Sequence, residues 1–197
     1  MANGRVITGF SKPYVALYTA TASGGSYMIS YSSGQILARG VEIQIEPETT
    51  DDNNFYADNV IAENEAGLFT GGTLTLTVDG LKDAANKLIY GLPSATSEGW
   101  FDYDNTQAIP FVGFGAVIRV QEAGVVSYVP IVLPKIQFND TGMTAATQED
   151  SIDWQSAELT AQIFRDESVK QTWKKLGEAQ TSEAAAEAKI KTFLSIS

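Results

Sequence analysis

The chain contains neither cysteine nor histidine. The first absence excludes disulfide scaffolds, thiol nucleophiles and thiolate metal sites. The second removes imidazole ligands and the commonest general base near neutral pH. Any catalysis would have to rest on carboxylates, Lys, Tyr or Ser/Thr. No apolar run approaches the length that spans a bilayer, and Met1-Ala-Asn-Gly-Arg-Val-Ile-Thr-Gly lacks an apolar core of signal-peptide length. The expectation is a product made and held in the cytoplasm, with no membrane partner. Positive charge is also scarce. Lys and Arg number 13 against 24 Asp and Glu, a net charge of −11, which disfavours binding to the outside of a nucleic acid or to an anionic membrane.

What is present is an ordinary apolar fraction, 44%, in 197 residues without an obvious linker. That suits one domain, 1–197, with a substantial core. The stretch 41–91 organises it. Val41, Ile43 and Ile45 alternate with Glu42, Gln44 and Glu46 on a strand. Leu74, Leu76 and Val78 alternate with Thr73, Thr75 and Thr77 on a second. A helix should follow, with Asp79 as its cap and Leu81, Ala84, Ala85, Leu88 and Ile89 on one stripe. Gly91 is placed to end that helix in the left-handed conformation, with Lys87 near the negative end of its dipole. Between the two strands runs a long polar loop, 46–72. It combines Glu46, Glu48, Asp51, Asp52, Asp58, Glu63 and Glu65 with Phe55, Tyr56, Val60, Ile61, Leu68 and Phe69. Apolar anchors in a polar loop of that length mark a docking or functional element.

Elsewhere, 1–12 reads as an extended N-terminal arm. Tyr14-Val-Ala-Leu-Tyr-Thr-Ala20 reads as a strand, Ser23-Gly-Gly25 as a turn and 27–31 as a further strand. The clearest hairpin has Phe111-Val-Gly-Phe-Gly-Ala-Val-Ile-Arg-Val120 and Val125-Val-Ser-Tyr-Val-Pro-Ile-Val-Leu133 as its arms, with 121–124 as its turn. Both arms are apolar on nearly every residue, so both faces are expected to be covered. Pro130 cannot donate to a ladder, which suggests an edge or a bulge there. Gly113 and Gly115 share a face and leave room for a close approach. Lys135-Ile-Gln-Phe138, Ile152-Asp-Trp-Gln155 and Glu158-Leu-Thr-Ala-Gln-Ile-Phe164 continue as strands. In 166–177, Val169, Trp173 and Leu176 allow a helix. The C-terminal region, 179–197, carries a helix capped by Ser182, with Ile190, Phe193 and Leu194 on its apolar stripe. Eight to ten strands against two helices make a β-rich α+β domain, most simply two packed sheets with a flanking helix.

Candidate chemistry is thin. The carboxylate pairs Asp102/Asp104, Asp150/Asp153 and Glu46/Glu48 are close in sequence, but a glycosidase needs carboxylates facing each other across a sugar, and acidic residues mostly sit solvated. Asp102-Tyr-Asp104 begins like a calcium loop, yet no glycine follows for its sharp turn, and Gly113 stands where the bidentate Glu belongs. Gly113-Phe-Gly115 lacks the third glycine of a phosphate cradle. Tyr14, Tyr18, Tyr27, Tyr31, Trp100, Phe101 and Tyr103 can form a platform for a sugar or base, or pack across strands. No catalytic residue, cofactor or metal is assigned, and an enzyme is not expected.

With those residues in view, the chain resembles the major tail protein of long-tailed bacteriophages, the tail tube subunit found in phages and prophages of Gram-positive bacteria. The resemblance rests on Gly40-Val-Glu-Ile-Gln-Ile-Glu-Pro-Glu48, Phe55-Tyr-Ala-Asp-Asn59, Phe69-Thr-Gly-Gly-Thr-Leu-Thr-Leu76 with the helix after it, Phe111-Val-Gly-Phe-Gly115, Tyr128, Leu133-Pro-Lys-Ile-Gln-Phe138 and Ile152-Asp-Trp-Gln155. It implies a two-sheet β-sandwich or partial barrel that forms hexameric rings. The rings stack into a hollow tube around a tape measure protein, between the tail terminator and distal tail proteins, and DNA passes down the bore without adhering. It places the protein in the virion tail, after a period in the host cytoplasm. It makes 46–72 the ring-stacking loop, through Glu46, Glu48, Asp51, Asp52, Phe55, Tyr56, Asp58 and Phe69. The alternative is a carbohydrate-binding β-sandwich module of a virion or cell surface, built on the aromatics around Trp100.

Overall fold

A computed structural model describes residues 4–51, 53–65 (there mainly as backbone), 67–93, 96, 98–105, 107–140, 142 and 156–196. Period-two alternation and β-branched residues turn most of this chain into strands. They are β1 (Val6–Ser23), β2 (Ser26–Ile36), β3 (Gly40–Thr49), β4 (Asn53–Ala57), β5 (Val60–Glu65), β6 (Phe69–Val78), β7 (Val112–Glu122), β8 (Val125–Phe138), β9 (Ala157–Phe164) and β10 (Lys175–Leu176), with helices α1 (Asp83–Tyr90) and α2 (Glu183–Phe193). Seven strands follow one another in a single sheet, in the order β2-β1-β7-β8-β9-β6-β3, and short β10 adds to β8. All pairings in it are antiparallel. β4 and β5 form a separate two-stranded sheet.

Three connections are two-residue turns with both central residues at positive φ: Gly24–Gly25, Asp58–Asn59 and Ala123–Gly124. That is the type I′ geometry whose twist matches the flanking strands. It sets the register of the β1–β2, β4–β5 and β7–β8 hairpins.

The sheet curls. β3 ends the strand order, yet the Phe10 ring of β1 occupies the space a side chain at Gly40 would take. Ile43 and Ile45 of β3 pack into the same core as Val15, Phe114, Ala116, Leu133 and Ile136. Strands from opposite ends of one sheet meet only if its twist brings them together. Inside the curl, Leu74, Leu76 and Val78 of β6 are fully buried at alternate positions, as their spacing predicts, with Leu159, Ala161 and Ile163 of β9 beside them. α1 closes this core with Ala85, Leu88, Ile89 and Tyr90.

A second, smaller core lies on the outer face, where α2 packs Ala186, Ile190 and Leu194 against Tyr14, Ala16, Val117 and Val132. Burying each of Ile190 and Leu194 contributes about 1.5–3 kcal/mol. Gly113 and Gly115 make this approach possible. A Cβ at Gly113 would collide with the Tyr31 ring and Leu194, and one at Gly115 with Ile190. The two-sided covering explains why β7 is apolar and buried from Val112 to Val117.

Several expectations need correction. The N-terminal arm 1–12 is a strand from Val6 onward, because Val6, Ile7, Phe10 and Ser11 pair with β7. The loop 46–72 is mostly strand as well: β3 runs to Thr49, β6 starts at Phe69, and β4–β5 fill the interval. Asp79 does not cap α1. The N-cap is Lys82, while Asp79 accepts a hydrogen bond from the Arg39 amide at 2.9 Å and meets the Arg39 guanidinium at 3.2 Å. Ala84 of the expected stripe is exposed, and Tyr90 is buried in its stead. Segment 166–177 is not helical. Asp166 Oδ1 accepts from the amides of Ser168 (3.2 Å) and Thr172 (2.8 Å), and this local alternative to helical bonding leads into β10. Val169 is left 92% exposed. Pro130 is no edge residue, since it pairs with Val117 of β7. Its carbonyl accepts from Gly177 at 2.8 Å, so its missing N–H faces the short β10 side and not β7. The expected strand Ile152-Asp-Trp-Gln155 lies outside the described residues. Gly91 (φ 64) and Ser182 cap the two helices as expected, the Gly91 amide donating to Lys87 and Ser182 Oγ accepting from Ala185 at 3.2 Å.

Candidate assembly surfaces

Among the described residues, three features stand free of the core: the β2 edge, the β3 edge, and the hairpin that β3 and β6 carry between them. The hairpin grows directly from the main ladder. Thr50 N donates to Leu68 O at 2.9 Å, and Leu68 N donates to Thr50 Oγ1 at 2.9 Å. A Cβ at Gly67 would overlap the Thr50 carbonyl, so the chain closes tightly there before β4 and β5.

The expected stacking residues fall along this arm. Glu46 and Glu48 lie on β3 opposite Thr73 and Gly71, and Glu46 Oε1 accepts from Gln44 Nε2 at 2.7 Å. Asp51 is exposed where the arm leaves the ladder. Asp52 lies outside the described residues. Phe55 and Tyr56 pair through their backbones with Glu63 and Ile61, with a register shift between them. Asp58 is a turn residue at φ 52, at the hairpin tip. Phe69 stands apart from the rest. Its ring stacks on Trp173 at 4.3 Å with an interplanar angle of 3°, and Arg165 donates to its carbonyl, so it braces the base of the arm within its own chain. From 40 to 72 the chain has eight acidic residues and no Lys or Arg. That composition keeps an exposed hairpin from collapsing onto the acidic body.

The two edges differ in chemistry. β2 lies in 13–38, a stretch with no charged residue at all. Tyr27 and Met28 are exposed on it. Counting outward from the closing pair Ser23 and Ser26, the main-chain groups of Tyr27, Ile29 and Tyr31 face the open side. β3 carries Glu42, Glu46, Glu48 and Pro47 along its edge.

Sequence reasoning missed the lock behind β2. Lys135 pairs with Glu167, and the Tyr18 hydroxyl donates to the same carboxylate. Lys135 Nζ also lies 4.2 Å from the centre of the Phe111 ring. Burial pushes the Glu167 carboxyl up, but donation from Lys135 and Tyr18 outweighs it and holds the group below the usual carboxylate range. Burial, and then the hydrogen bond to Glu167, pushes the Tyr18 hydroxyl well above its ordinary value. Residues 135, 167 and 18 are too far apart in sequence for any spacing to signal them. The charge-free run 13–38, by contrast, was legible.

The remaining candidates do not converge. Asp102 and Asp104 are exposed in the loop after α1, and Asp150 and Asp153 lie outside the described residues. Among the described residues no three acidic side chains group as metal ligands. The aromatics divide. Tyr14 donates to Glu187 at 2.5 Å, Tyr31 donates to the Pro134 carbonyl at 3.0 Å, and Tyr18 and Tyr31 meet edge to face at 5.9 Å. These pack, whereas Tyr27, Trp100 and Tyr103 are exposed. No described helix is long and apolar enough to cross a membrane. No protein-family model matches this chain, and comparison with curated proteins finds no relative.

Proposed function

We propose that this chain is a tail tube subunit of a long-tailed bacteriophage or prophage, polymerising as stacked hexameric rings into the tube that delivers DNA. The observation that carries the reading is a curled sheet with two chemically unlike free edges and an acidic hairpin projecting from it. An edge strand is a template for another chain. Pairing β2 of one copy with β3 of the next is a head-to-tail contact, and repetition of such a contact closes a ring when the rotation allows. β3 with β3 would set like charges opposite each other, and β2 with β2 would stop at a dimer. In this reading the curl supplies the barrel wall, the two facing halves of the sheet supply the sandwich, and the hairpin reaches the neighbouring ring. The tape measure protein occupies the bore, the terminator and distal tail proteins meet the tube ends, and the net charge of −11 lets phosphates pass without adhesion. The mature location is the virion tail.

Electron microscopy of the concentrated protein, beside a variant lacking 51–65, tests this. The deletion leaves Ala66-Gly67 as a two-residue link between the paired Thr50 and Leu68, a length that suits a hairpin. Rings or tubes from the full chain, and loss of stacking in the deletion, are expected. Normal tubes from the deletion would overturn the role of the arm. A carbohydrate-binding module is the second reading, favoured by Trp100, 68% exposed, with Tyr103 of the same loop also exposed. A glycan screen with Trp100→Ala as control decides it, and binding to no glycan would end it.

A further inference from the structure

A groove of about 550 Å3 runs along the outer side of β2, lined by Ile29 and Tyr31 of that strand, Phe193 of α2, and Lys170 and Lys175. The Tyr31 ring packs on Phe193 at 5.3 Å, which sets Tyr31 on the face that α2 covers. Ile29 shares that face by alternation. Lys175 Nζ lies 5.1 Å from the centre of the Phe193 ring, and Lys170 is exposed. Among the described residues neither lysine is in an ion pair. A single acid, Asp166, shares the groove. It is buried, and its Oδ1 already accepts from the amides of Ser168 and Thr172. Two cations against one occupied carboxylate make a positive strip in a chain of net charge −11.

The ladder itself fixes what an added strand would bring to that strip. One rung runs unbroken from Ser32 of β2 through Leu17, Val112, Ile136, Ile163 and Gly72 to Pro47 of β3. The seven strands along it make six antiparallel steps, so β2 and β3 point the same way. A neighbour that extends the sheet along this rung therefore sets its β3 parallel to β2, outer face beside outer face. Its Pro47 comes level with Ser32, and its Glu46 with Tyr31. Glu46 and Glu48 are exposed and point outward, because they alternate with Ile45, which packs in the inner core beside Ile43. A paired strand lies about 4.8 Å away, well within the reach of a lysine side chain.

We propose that Lys170 and Lys175 receive Glu46 and Glu48 of the next copy, an inference that rests on the tube reading above and names the residues that choose the partner edge and its register. Charges of this kind set partner and register more than raw affinity. A second β2 brings no carboxylate to the groove, since 13–38 holds no charge. A slip of one residue would turn both glutamates to the other face.

The test mixes ordinary and isotopically heavy full-length protein, treats it with a carbodiimide, which joins a lysine directly to a carboxylate, and maps the products by mass spectrometry beside electron microscopy. Amide links from Lys170 or Lys175 of one copy to Glu46 or Glu48 of another are expected. Two charge-reversed chains sharpen it, Lys170→Glu with Lys175→Glu and Glu46→Lys with Glu48→Lys, all at exposed positions. Each sets like charges opposite each other, and the concentration needed for rings should rise about tenfold or more with an unchanged circular dichroism spectrum. An equimolar mixture of the two restores opposite charges at every contact of an alternating ring and should assemble as wild type does. Rings whose cross-links map elsewhere, or rings from either reversed chain alone at the wild-type concentration, would overturn the lysine contact and leave the tube reading standing. The expected cross-links in particles that never close into rings would keep the contact and remove the tube. Neither links nor rings would overturn both.

Discussion

β2 and β3 both end the sheet, and they are finished in opposite ways. β2 comes from a stretch without a single charge and shows Tyr27 and Met28 to solvent. β3 carries three glutamates and Pro47. Charge and proline are the devices by which proteins keep an edge from pairing indiscriminately, so one edge is guarded and the other is left open. The open edge is also the one stiffened from behind. Tyr31 of β2 packs on Phe193 at 5.3 Å and over Gly113, Ile196 lies against Gly34, and Tyr18 of the adjoining strand is tied to Glu167. An edge held in one shape loses little conformational freedom when a partner strand arrives, and pre-organisation of that kind favours association. In the proposed ring, β2 is the rigid acceptor and β3 the strand whose charges choose it over a copy of itself.

The comparison breaks most completely with Ile29→Pro. The Ile29 N–H faces the open side of β2, so its loss spares the β1–β2 ladder and removes a donor only from the next copy. Rings are expected to disappear under the microscope while the monomer keeps its circular dichroism spectrum. Rings that persist would show that β2 is not the pairing edge.

Gly113→Ala attacks the bracing. Its Cβ would collide with the Tyr31 ring and Leu194, and overpacking of this kind costs about 1–3 kcal/mol. A lower urea midpoint is expected, together with faster hydrogen exchange at β2 than at β3. Equal effects at the two edges would count against the asymmetry.

Glu167→Gln removes the charge that Lys135 and Tyr18 share, in a site where Lys135 is 12% and Glu167 30% exposed. A loss of about 1–2 kcal/mol is expected, at the low end for hydrogen bonds to charged groups because the carboxylate is partly solvated. The Glu167 carboxyl titrates below its ordinary value in the folded chain. Its contribution is therefore present above that ordinary value and is lost as the pH falls from it toward the folded one. Urea titrations of wild type and variant should converge on acidification through that window. A constant gap would place the effect elsewhere.

The smallest change is expected from Glu42→Gln, Glu46→Gln and Glu48→Gln combined. Each cross-strand like-charge contact removed is worth about 0.2–1 kcal/mol. Light scattering should begin at lower protein concentration as β3 gains the freedom to pair with itself. An unchanged threshold would mean that Pro47 alone guards the edge.

The parts legible in the sequence were those with local causes. Alternation placed Leu74, Leu76 and Val78 in the core, Gly24-Gly25 and Ala123-Gly124 made two of the turns, and Ser182 and Gly91 ended their helices where side-chain and φ preferences put them. The arm was recognisable by its acids and apolar anchors, but its form was not. Polar composition over 46–72 suggested loop, whereas Asp58 and Asn59 close a hairpin whose ladder runs from Thr50 and Leu68. The helix that Val169, Trp173 and Leu176 allowed in 166–177 does not form, because Asp166 binds its own downstream amides, a choice that competes with helix. Asp79 was read as a cap and is used by Arg39, a residue on the far side of the β3–β6 pairing.

Sequence alone specified the core-facing strands, the absence of thiol and imidazole chemistry, the acidity of the arm and the bareness of 13–38, because each is a property of neighbouring residues or of a simple count. Tertiary structure alone decided that β2 and β3 are the edges, that Phe10 meets Gly40, that α2 settles on Gly113 and Gly115, and that Tyr31, Lys170 and Lys175 share one groove. Those outcomes depend on strand order and on accumulated twist. They join residues distant in the chain, whose proximity only the packed whole makes favourable.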